Sequence, residues 1–70
     1  MRIQVERFPV REDEEVHLAE PATGLDLLRA LGLAPDAHIL ARSHTPIPLD
    51  EVLSDGDRIR LISVVSGGSA

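Results

Sequence analysis

A single short amphipathic helix is the feature that most constrains how this chain can fold. Thr23 and Asp26 have the spacing of a capping box, in which each side chain bonds the other residue's backbone amide. Gly32 stands where a left-handed residue ends a helix, and Leu33 can then contact Leu28 as in a Schellman motif. These signals predict about two helical turns, too few to persist alone in water. The helix must therefore pack on a sheet.

The predicted helix carries a broad apolar stripe, with Arg29 pointing outward. The stripe consists of Leu25, Leu27, Leu28, Ala30 and Leu31. Such a stripe is typical of a helix that covers one face of a sheet.

Alternation of apolar and polar residues predicts a hairpin before the helix. In a first strand, residues 2–7, Ile3 and Val5 share one face. Phe8 has the wrong parity for that face, so either a bulge occurs there or the ring covers the other side of the sheet. A second short strand carries Val16 and Leu18.

An acidic run, Glu12 to Glu15, lies between these two strands. Neighbouring carboxylates repel one another and cannot be buried, so a solvated loop is the simplest interpretation. An acidic docking patch is the alternative.

Shorter elements follow the helix. Pro35-Asp36 is expected to make a turn before a third strand at residues 37–42. Residues 43–46 are expected to turn the chain into a short strand, Ile47-Pro48-Leu49. Proline cannot donate to a strand ladder, so this strand is placed at an edge.

Residues 50–65 are predicted to form a helical turn, a tight turn and a last strand. Asp50 is expected to cap one helical turn at residues 51–54, with Val52 and Leu53 pointing inward. Asp55-Gly56 is then expected to form a turn. Residues 58–65, which are rich in β-branched and aliphatic types, are predicted to form the final strand.

Charge and residue usage exclude several classes of function. Twelve acidic and seven basic residues give a formal net charge of −5, which repels phosphate backbones and anionic lipid. We therefore expect no nucleic acid and no membrane as partner. The N-terminal residues lack the apolar run of a signal peptide, and no stretch reaches the length of a membrane span, so the expected location is cytoplasmic.

We also expect no metal site. The chain has no cysteine, so a thiolate site is excluded. His17, His38 and His44 come from three different predicted elements and lack the spacing that directs two imidazoles at one ion.

Several of these features together resemble one family. The order of elements, the helix ending Leu31-Gly32-Leu33, the turn Asp55-Gly56-Asp57 before an aliphatic last strand, and Gly67-Gly68 after it are similar to the ubiquitin-like sulfur-carrier proteins. That family includes the carriers of thiamine and molybdopterin synthesis and the archaeal small modifier proteins.

The resemblance implies an α+β, β-grasp (ubiquitin-like) fold, with a mixed sheet packed on one helix in the order ββαββ and a short edge strand. It places the first and last strands side by side and parallel in the middle of the sheet. Residues 1–66 are then expected to form the β-grasp domain, and residues 67–70 a flexible C-terminal tail.

The resemblance also implies a role for the tail. An adenylating (E1-like) enzyme would use ATP to convert the Gly68 carboxylate into an acyl adenylate. A sulfur donor would then displace AMP and leave a thiocarboxylate for a sulfur-accepting synthase. Gly67 and Gly68 let the tail enter a narrow channel, because a side chain there would collide. The chain would be a co-substrate and not an enzyme, and would bind no cofactor itself.

The sequence departs from the family pattern after Gly68, where Ser69 and Ala70 follow. Some relatives are trimmed by a zinc-dependent peptidase, and the same removal of Ser69-Ala70 is expected here. Two alternatives remain: a ubiquitin-like modifier joined to target lysines, and a non-catalytic interaction module. The chain has no lysine of its own, so lysine-linked chains of itself are excluded.

The last strand also predicts a surface. Ile59 and Leu61 share one face and are expected to meet the helix. The opposite face then forms a mixed apolar and basic patch for the adenylating partner. The residues of this patch are Arg58, Arg60, Ile62 and Val64. The alternative is that a central strand is simply covered on both sides.

Overall fold

The computed structural model describes residues 1–8 and 11–64, which form a five-stranded mixed sheet packed on one α-helix. The sheet order is β2-β1-β5-β3-β4, with β1 and β5 parallel and the other neighbours antiparallel. The predicted architecture and the parallel pairing of the first and last strands are confirmed. The elements are β1 Arg2–Phe8, β2 Glu12–His17, α1 Gly24–Leu31, a 3-10 helix Pro35–Ala37, β3 His38–Arg42, β4 Thr45–Ile47 and β5 Arg58–Ser63.

The core is aliphatic and lies between the sheet and α1. Each fully buried side chain of this kind contributes about 1.5–3 kcal/mol relative to an exposed one. The side chains that are almost completely buried are Ile3, Val5, Leu27, Leu28, Leu40, Ile59 and Leu61. Within the described residues, no helix has the length and hydropathy needed to cross a membrane.

The ends of α1 follow the sequence signals. The Thr23 amide donates to Asp26 Oδ2 at 2.9 Å, and the Asp26 amide lies 3.4 Å from Thr23 Oγ1, which completes the predicted capping box. Gly32 is left-handed, with φ 72°, and the Leu33 amide donates to the Leu28 carbonyl at 2.9 Å. The apolar stripe is narrower than predicted because Ala30 is exposed.

The prediction that the acidic run is a loop was wrong. β2 begins at Glu12, so the run lies within a strand. Successive residues of a strand point to opposite faces, which separates neighbouring carboxylates. Arginines of β1 then pair with two of them: Arg7 Nε lies 2.7 Å from Glu14 Oε2, and Arg2 Nε lies 3.2 Å from Glu15 Oε2.

Phe8 continues β1 without a bulge. The pairing of β1 with β2 is regular from Arg2 to Arg7, and Phe8 lies opposite Ile62 of β5. The ring therefore covers the face of the sheet away from the helix, which was one of the two predicted arrangements.

The boundaries around β4 differ from the prediction. The turn after β3 consists of Ser43 and His44, which are left-handed with φ 54° and 66°. β4 is therefore Thr45–Ile47 and not residues 47–49. Left-handed turns of this kind usually contain glycine or asparagine, so the sequence carries no signal for it. The predicted edge position is confirmed, and Pro46 lies in that edge strand.

The predicted helical turn at residues 51–54 is absent. Val52 pairs with Thr23 as an isolated β-bridge and is 59% exposed, while Leu53 is buried as predicted. The Leu25 amide donates to the Leu49 carbonyl, and the Leu53 amide donates to the Ala22 carbonyl. This segment therefore turns at Leu49-Asp50 and then runs along the start of α1.

Arg42 holds the same segment to the sheet. Its Nη2 donates to Glu51 Oε2 at 2.6 Å, and its Nη1 donates to Asp57 Oδ2 at 3.1 Å. The bond to Glu51, and then that to Asp57, raise the pKa of Arg42. Arginine is charged at all ordinary pH values, so the contact acts as a permanent clamp.

Two glycines should tolerate substitution differently. A Cβ on Gly24 would overlap Leu40 Cδ1 in the core and lie 3.3 Å from the Leu49 carbonyl, whereas a Cβ on Gly32 meets nothing within 4 Å. We expect Gly24→Ala to lower the free energy of unfolding by about 1–3 kcal/mol through overpacking. Gly32→Ala should lower it by about 1–2 kcal/mol through its left-handed backbone.

Asparagine separates the two causes. Asn adopts the left-handed conformation readily, so Gly32→Asn should recover most of the loss measured for Gly32→Ala. Gly24→Asn should be at least as unstable as Gly24→Ala. Urea unfolding monitored by circular dichroism measures all four variants, and equal rescue by asparagine at both positions would contradict the packing explanation.

Candidate partner-binding face and C-terminal tail

The side chains of β5 point alternately into the core and to the outer face of the sheet, which is the face away from α1. Ile59 and Leu61 are 0% and 1% exposed and face the helix, as predicted. Of the predicted patch, three residues lie on the outer face of β5, and the fourth lies just past the end of the strand. These residues are Arg58, Arg60 and Ile62, followed by Val64.

An apolar band crosses the outer face at the C-terminal end of β5. Ile62 lies in register with Phe8 of β1 on one side and with Ile39 of β3 on the other. Ile39 is 43% exposed and Ile62 37% exposed, while Phe8 is half-buried. The sequence prediction omitted Ile39 and Phe8 from this surface. The parity of Phe8 in β1 was the signal that could have placed it there.

Arg60 is held in place by three neighbours. Its Nε donates to Glu6 Oε1 at 3.2 Å, and its guanidinium lies 5.5 Å from the centre of the Phe8 ring. Its Nη1 lies 3.1 Å from Nδ1 of His44. Arginine has only donors, so His44 Nδ1 accepts in this contact. Arg60 therefore presents a fixed orientation beside the apolar band.

Arg58 carries the less constrained positive charge of this face. It is exposed, and no carboxylate of the described residues lies within ion-pair distance of it. Arg11 adds a third guanidinium, 5.7 Å from the centre of the Phe8 ring. The outer face thus combines apolar contact area with guanidinium groups that can bind carboxylates.

One open groove borders this face, and another depression lies at the end of the sheet. A groove of about 640 Å³ lies beside the Ser43-His44 turn, and Arg58 and Arg60 line part of it. A smaller depression of about 280 Å³ lies at the C-terminal end of β5 on the helix side of the sheet, where Arg7, Leu33 and Leu61 line part of it. Both are open to solvent, so they suit side chains of a macromolecular partner better than an enclosed small ligand.

The predicted reactive tail, with Gly67, Gly68, Ser69 and Ala70, lies outside the described residues. The last described residue is Val64, whose amide donates to the Ala37 carbonyl at 2.9 Å. Ile62 precedes it by two positions, so the apolar band lies at the end of β5 from which the chain continues toward Gly67.

The histidines lie apart, as their sequence positions suggest. His38 Nδ1 lies 2.8 Å from the Ala34 carbonyl, so this nitrogen carries the proton. His17 Nε2 lies 3.4 Å from Glu15 Oε2. Among residues 1–8 and 11–64, no three His, Asp or Glu side chains come together in a way that could hold a metal ion.

Solved structures with the same fold include small archaeal proteins. SAMP1 from Haloferax volcanii superposes with a TM-score of 0.75 and 22% identity, over 97% of this chain and 100% of that chain. The ubiquitin of Caldiarchaeum subterraneum gives a TM-score of 0.72 and 23% identity, over 97% and 98%. At these identities the likeness concerns the fold alone, and it confirms the ubiquitin-like β-grasp architecture.

Sequence comparison gives a relative and a family. An uncharacterized protein of Archaeoglobus fulgidus is 30% identical over 43 residues, which is 61% of this chain and 63% of that protein. The match thus spans less than two thirds of that relative. The model of the ThiS family matches residues 3–68, which include the helix, Gly67-Gly68 and all strands apart from the first residue of β1. This chain belongs to the ThiS family.

Proposed function

We propose that this protein is a sulfur carrier, activated by adenylation and thiocarboxylation at Gly68 after Ser69 and Ala70 are removed. Its family and its ubiquitin-like fold support a small carrier or modifier protein, a class that is generally not catalytic. They also support partnership with E1-like enzymes and sulfur-related proteins in general. Adenylation and thiocarboxylation would take place in the cytoplasm, and the partner enzyme would bind the ATP.

The extent of the family match is the observation that carries this proposal. The matched region ends at Gly68, so the second glycine belongs to the family pattern and Ser69 and Ala70 lie beyond it. A function based on the Gly68 carboxylate requires that carboxylate to be free. Removal of Ser69-Ala70, by a zinc-dependent peptidase as in some relatives, would free it.

The proposed chemistry needs no acid, base or metal from this chain. The Gly68 carboxylate would attack the α-phosphate of ATP in the partner's active site and release pyrophosphate. Sulfur supplied at the oxidation level of sulfide would then attack the acyl carbon, the bond to AMP would break, and a thiocarboxylate would form with no change of oxidation state. This chain's contribution is to present an unhindered carboxylate at the end of a folded domain, which a sulfur-accepting synthase can also recognise.

The outer face is the proposed docking surface for the adenylating enzyme. Phe8, Ile39 and Ile62 offer an apolar centre, and Arg58 and Arg60 border it. A central apolar cluster with a charged rim is the common anatomy of a protein interface. Arg58 is accessible and Arg60 is already oriented, so both suit an acidic surface on the partner.

A ubiquitin-like modifier is the second candidate. The fold shared with SAMP1 and the Caldiarchaeum subterraneum ubiquitin favours it, since those proteins bear modifier and ubiquitin names. Such a modifier would join Gly68 to a lysine of a target protein. The chain has no lysine, so it could be attached to others but could not extend through its own side chains.

The role of the Gly68 carboxylate can be tested by varying where the chain ends. A variant ending at Gly68, mixed with the adenylating enzyme of its own organism and ATP, should support pyrophosphate exchange. After a sulfur donor is added, it should gain the mass of one sulfur in place of one oxygen. The chain that retains Ser69-Ala70 should do neither, because its carboxylate belongs to Ala70. Intact-protein mass spectrometry measures both outcomes.

A variant ending at Gly67 is the matched control and should be inactive. Activity of the chain ending at Ala70, with no peptidase present, would contradict the requirement for processing. In protein isolated from its own cells, covalent attachment to target lysines would support the modifier instead. An intact, unmodified chain throughout would support an interaction module.

The role of the outer face can be tested by substitutions at its exposed residues. Arg58→Glu and Ile62→Ser should each weaken binding of the adenylating enzyme by roughly ten-fold, Ile62→Ser through loss of apolar contact at the centre and Arg58→Glu through a reversed charge opposite an acidic surface. Both positions are exposed, so the free energy of unfolding should change by no more than about 0.5–1 kcal/mol. Isothermal titration calorimetry and urea unfolding measure the two quantities.

Arg29→Glu is the control for net charge, because Arg29 lies on the exposed side of α1, away from the outer face. It changes the total charge as Arg58→Glu does and should leave binding unchanged. An equal loss of binding in both variants would indicate long-range charge and not contact. A large loss of stability in Ile62→Ser would instead assign Ile62 a packing role.

A further inference from the structure

The two edges of the sheet differ in how well they are protected. β4, at one edge, has three residues and contains Pro46, which cannot donate to a ladder. β2, at the other edge, has six residues and no proline. Within the described residues, β1 is the only strand that pairs with β2. β2 is therefore the edge at which another strand could be added.

The pairing pattern identifies the backbone groups at this edge. Met1 and Leu18 exchange two hydrogen bonds: the Leu18 amide donates to the Met1 carbonyl at 2.9 Å, and the N-terminal amine donates to the Leu18 carbonyl. Bonded and non-bonded pairs alternate in an antiparallel ladder. The amides and carbonyls of Asp13, Glu15 and His17 must therefore point away from β1, toward the open edge.

Side-chain charge decides what this edge can accept. Carboxylates stand on both faces of β2, because Asp13 and Glu15 alternate with Glu12 and Glu14. Arginines of β1 pair with Glu14 and Glu15, whereas Glu12 and Asp13 have no such partner among the described residues. Within the part of the chain that the structure describes, the edge thus keeps unneutralised negative charge next to its outward backbone groups.

This charge selects among possible strands. A second copy of β2 would bring carboxylates opposite carboxylates, and like charges that face each other across strands are destabilising. An acidic peptide is disfavoured for the same reason. A strand with lysine or arginine would gain cross-strand ion pairs in addition to the backbone ladder.

We propose that the open edge of β2 binds an extended basic peptide segment, which adds a sixth strand to the sheet through the backbone groups of Asp13, Glu15 and His17. The carboxylates alone would attract any cation. The ladder groups that have no partner among residues 1–8 and 11–64 make the site specific for an extended backbone. β1 separates this edge from β5, so the site is distinct from the outer-face patch and does not rest on the proposed carrier function.

A titration with a short blocked peptide that alternates lysine with valine tests this site. The peptide should bind saturably, and the amides of Asp13, Glu15 and His17 should become protected from hydrogen exchange. The inward amides of Glu14 and Val16 already bond β1 and should change little. Two-dimensional NMR follows both sets of amides, and absence of saturable binding at low salt would overturn the proposal.

Proline at position 15 separates strand addition from simple charge attraction. Glu15→Pro removes one outward amide and one charge, without removing a bond to β1. Glu15→Gln removes the same charge and keeps the amide. Glu15→Pro should bind the peptide roughly five- to ten-fold more weakly than Glu15→Gln, as expected for loss of a ladder bond. Equal affinities of the two variants would mean that the peptide binds by charge attraction alone, which would overturn the proposal.

The peptide itself supplies a test that does not depend on how the variants fold. A peptide with the same side chains in which every backbone amide nitrogen is methylated has the same charge but has no N–H to donate to a ladder. It should bind the unaltered protein at least ten-fold more weakly. Equal binding of the two peptides would exclude strand addition.

Discussion

The parallel pairing of β1 with β5 is the interaction on which the rest of this structure depends. It places Val5 beside Ile59 at the centre of the sheet, where both are almost completely buried. The two strands are separated by nearly the whole chain, so closing this contact is costly in conformational entropy. The helix packs over these two strands, and their buried aliphatic side chains offset that cost. The position of α1 and both sheet edges follow from this contact.

The same pairing also gives β5 two separate functions. One set of side chains fills the core with Ile59 and Leu61, and the alternate set faces outward with Arg58, Arg60 and Ile62. A substitution in the first set would remove buried area and unfold the domain. A substitution in the second set can change a partner contact while the fold is kept.

Local signals allowed much of the fold to be predicted. The capping box at Thr23 and the left-handed Gly32 define α1, because both act through bonds within a few residues. Alternation placed Ile3 and Val5 in the core for the same reason. The predictions that were wrong depend on partners distant in sequence. Glu12 to Glu15 form a strand because β1 supplies a ladder and two arginines, and no local rule reports that.

The β3–β4 turn and the segment after β4 show a second limit of sequence reasoning. Ser43 and His44 adopt left-handed backbone that their residue types do not favour, and the antiparallel pairing of Leu40 with Ile47 imposes it. Val52 was expected inside but bridges to Thr23 with its side chain exposed. In both places tertiary pairing overrides local preference.

Sequence reasoning predicted the part of the outer-face patch that lies on β5, but not the residues of β1 and β3 that lie beside it. Ile39 and Phe8 join Ile62 only because three strands that are distant in the chain lie side by side in register. Arg60 is oriented by Glu6, Phe8 and His44, which come from two other parts of the chain. Composition and spacing could not show that Arg60 is held by its neighbours whereas Arg58 has no carboxylate partner among the described residues.

The charge distribution explains how one small sheet can carry two separate surfaces. The charges that sum to −5 are distributed unevenly. Carboxylates are concentrated on β2, whereas arginines border the outer face of β5. β1 lies between them and neutralises both sides locally, since Arg2 and Arg7 pair with β2 while Glu6 pairs with Arg60 of β5. At physiological salt, exposed charges farther apart than about 8 Å are largely screened. A basic segment at the β2 edge and an acidic partner at the outer face would therefore attract different regions of the molecule and compete little through charge.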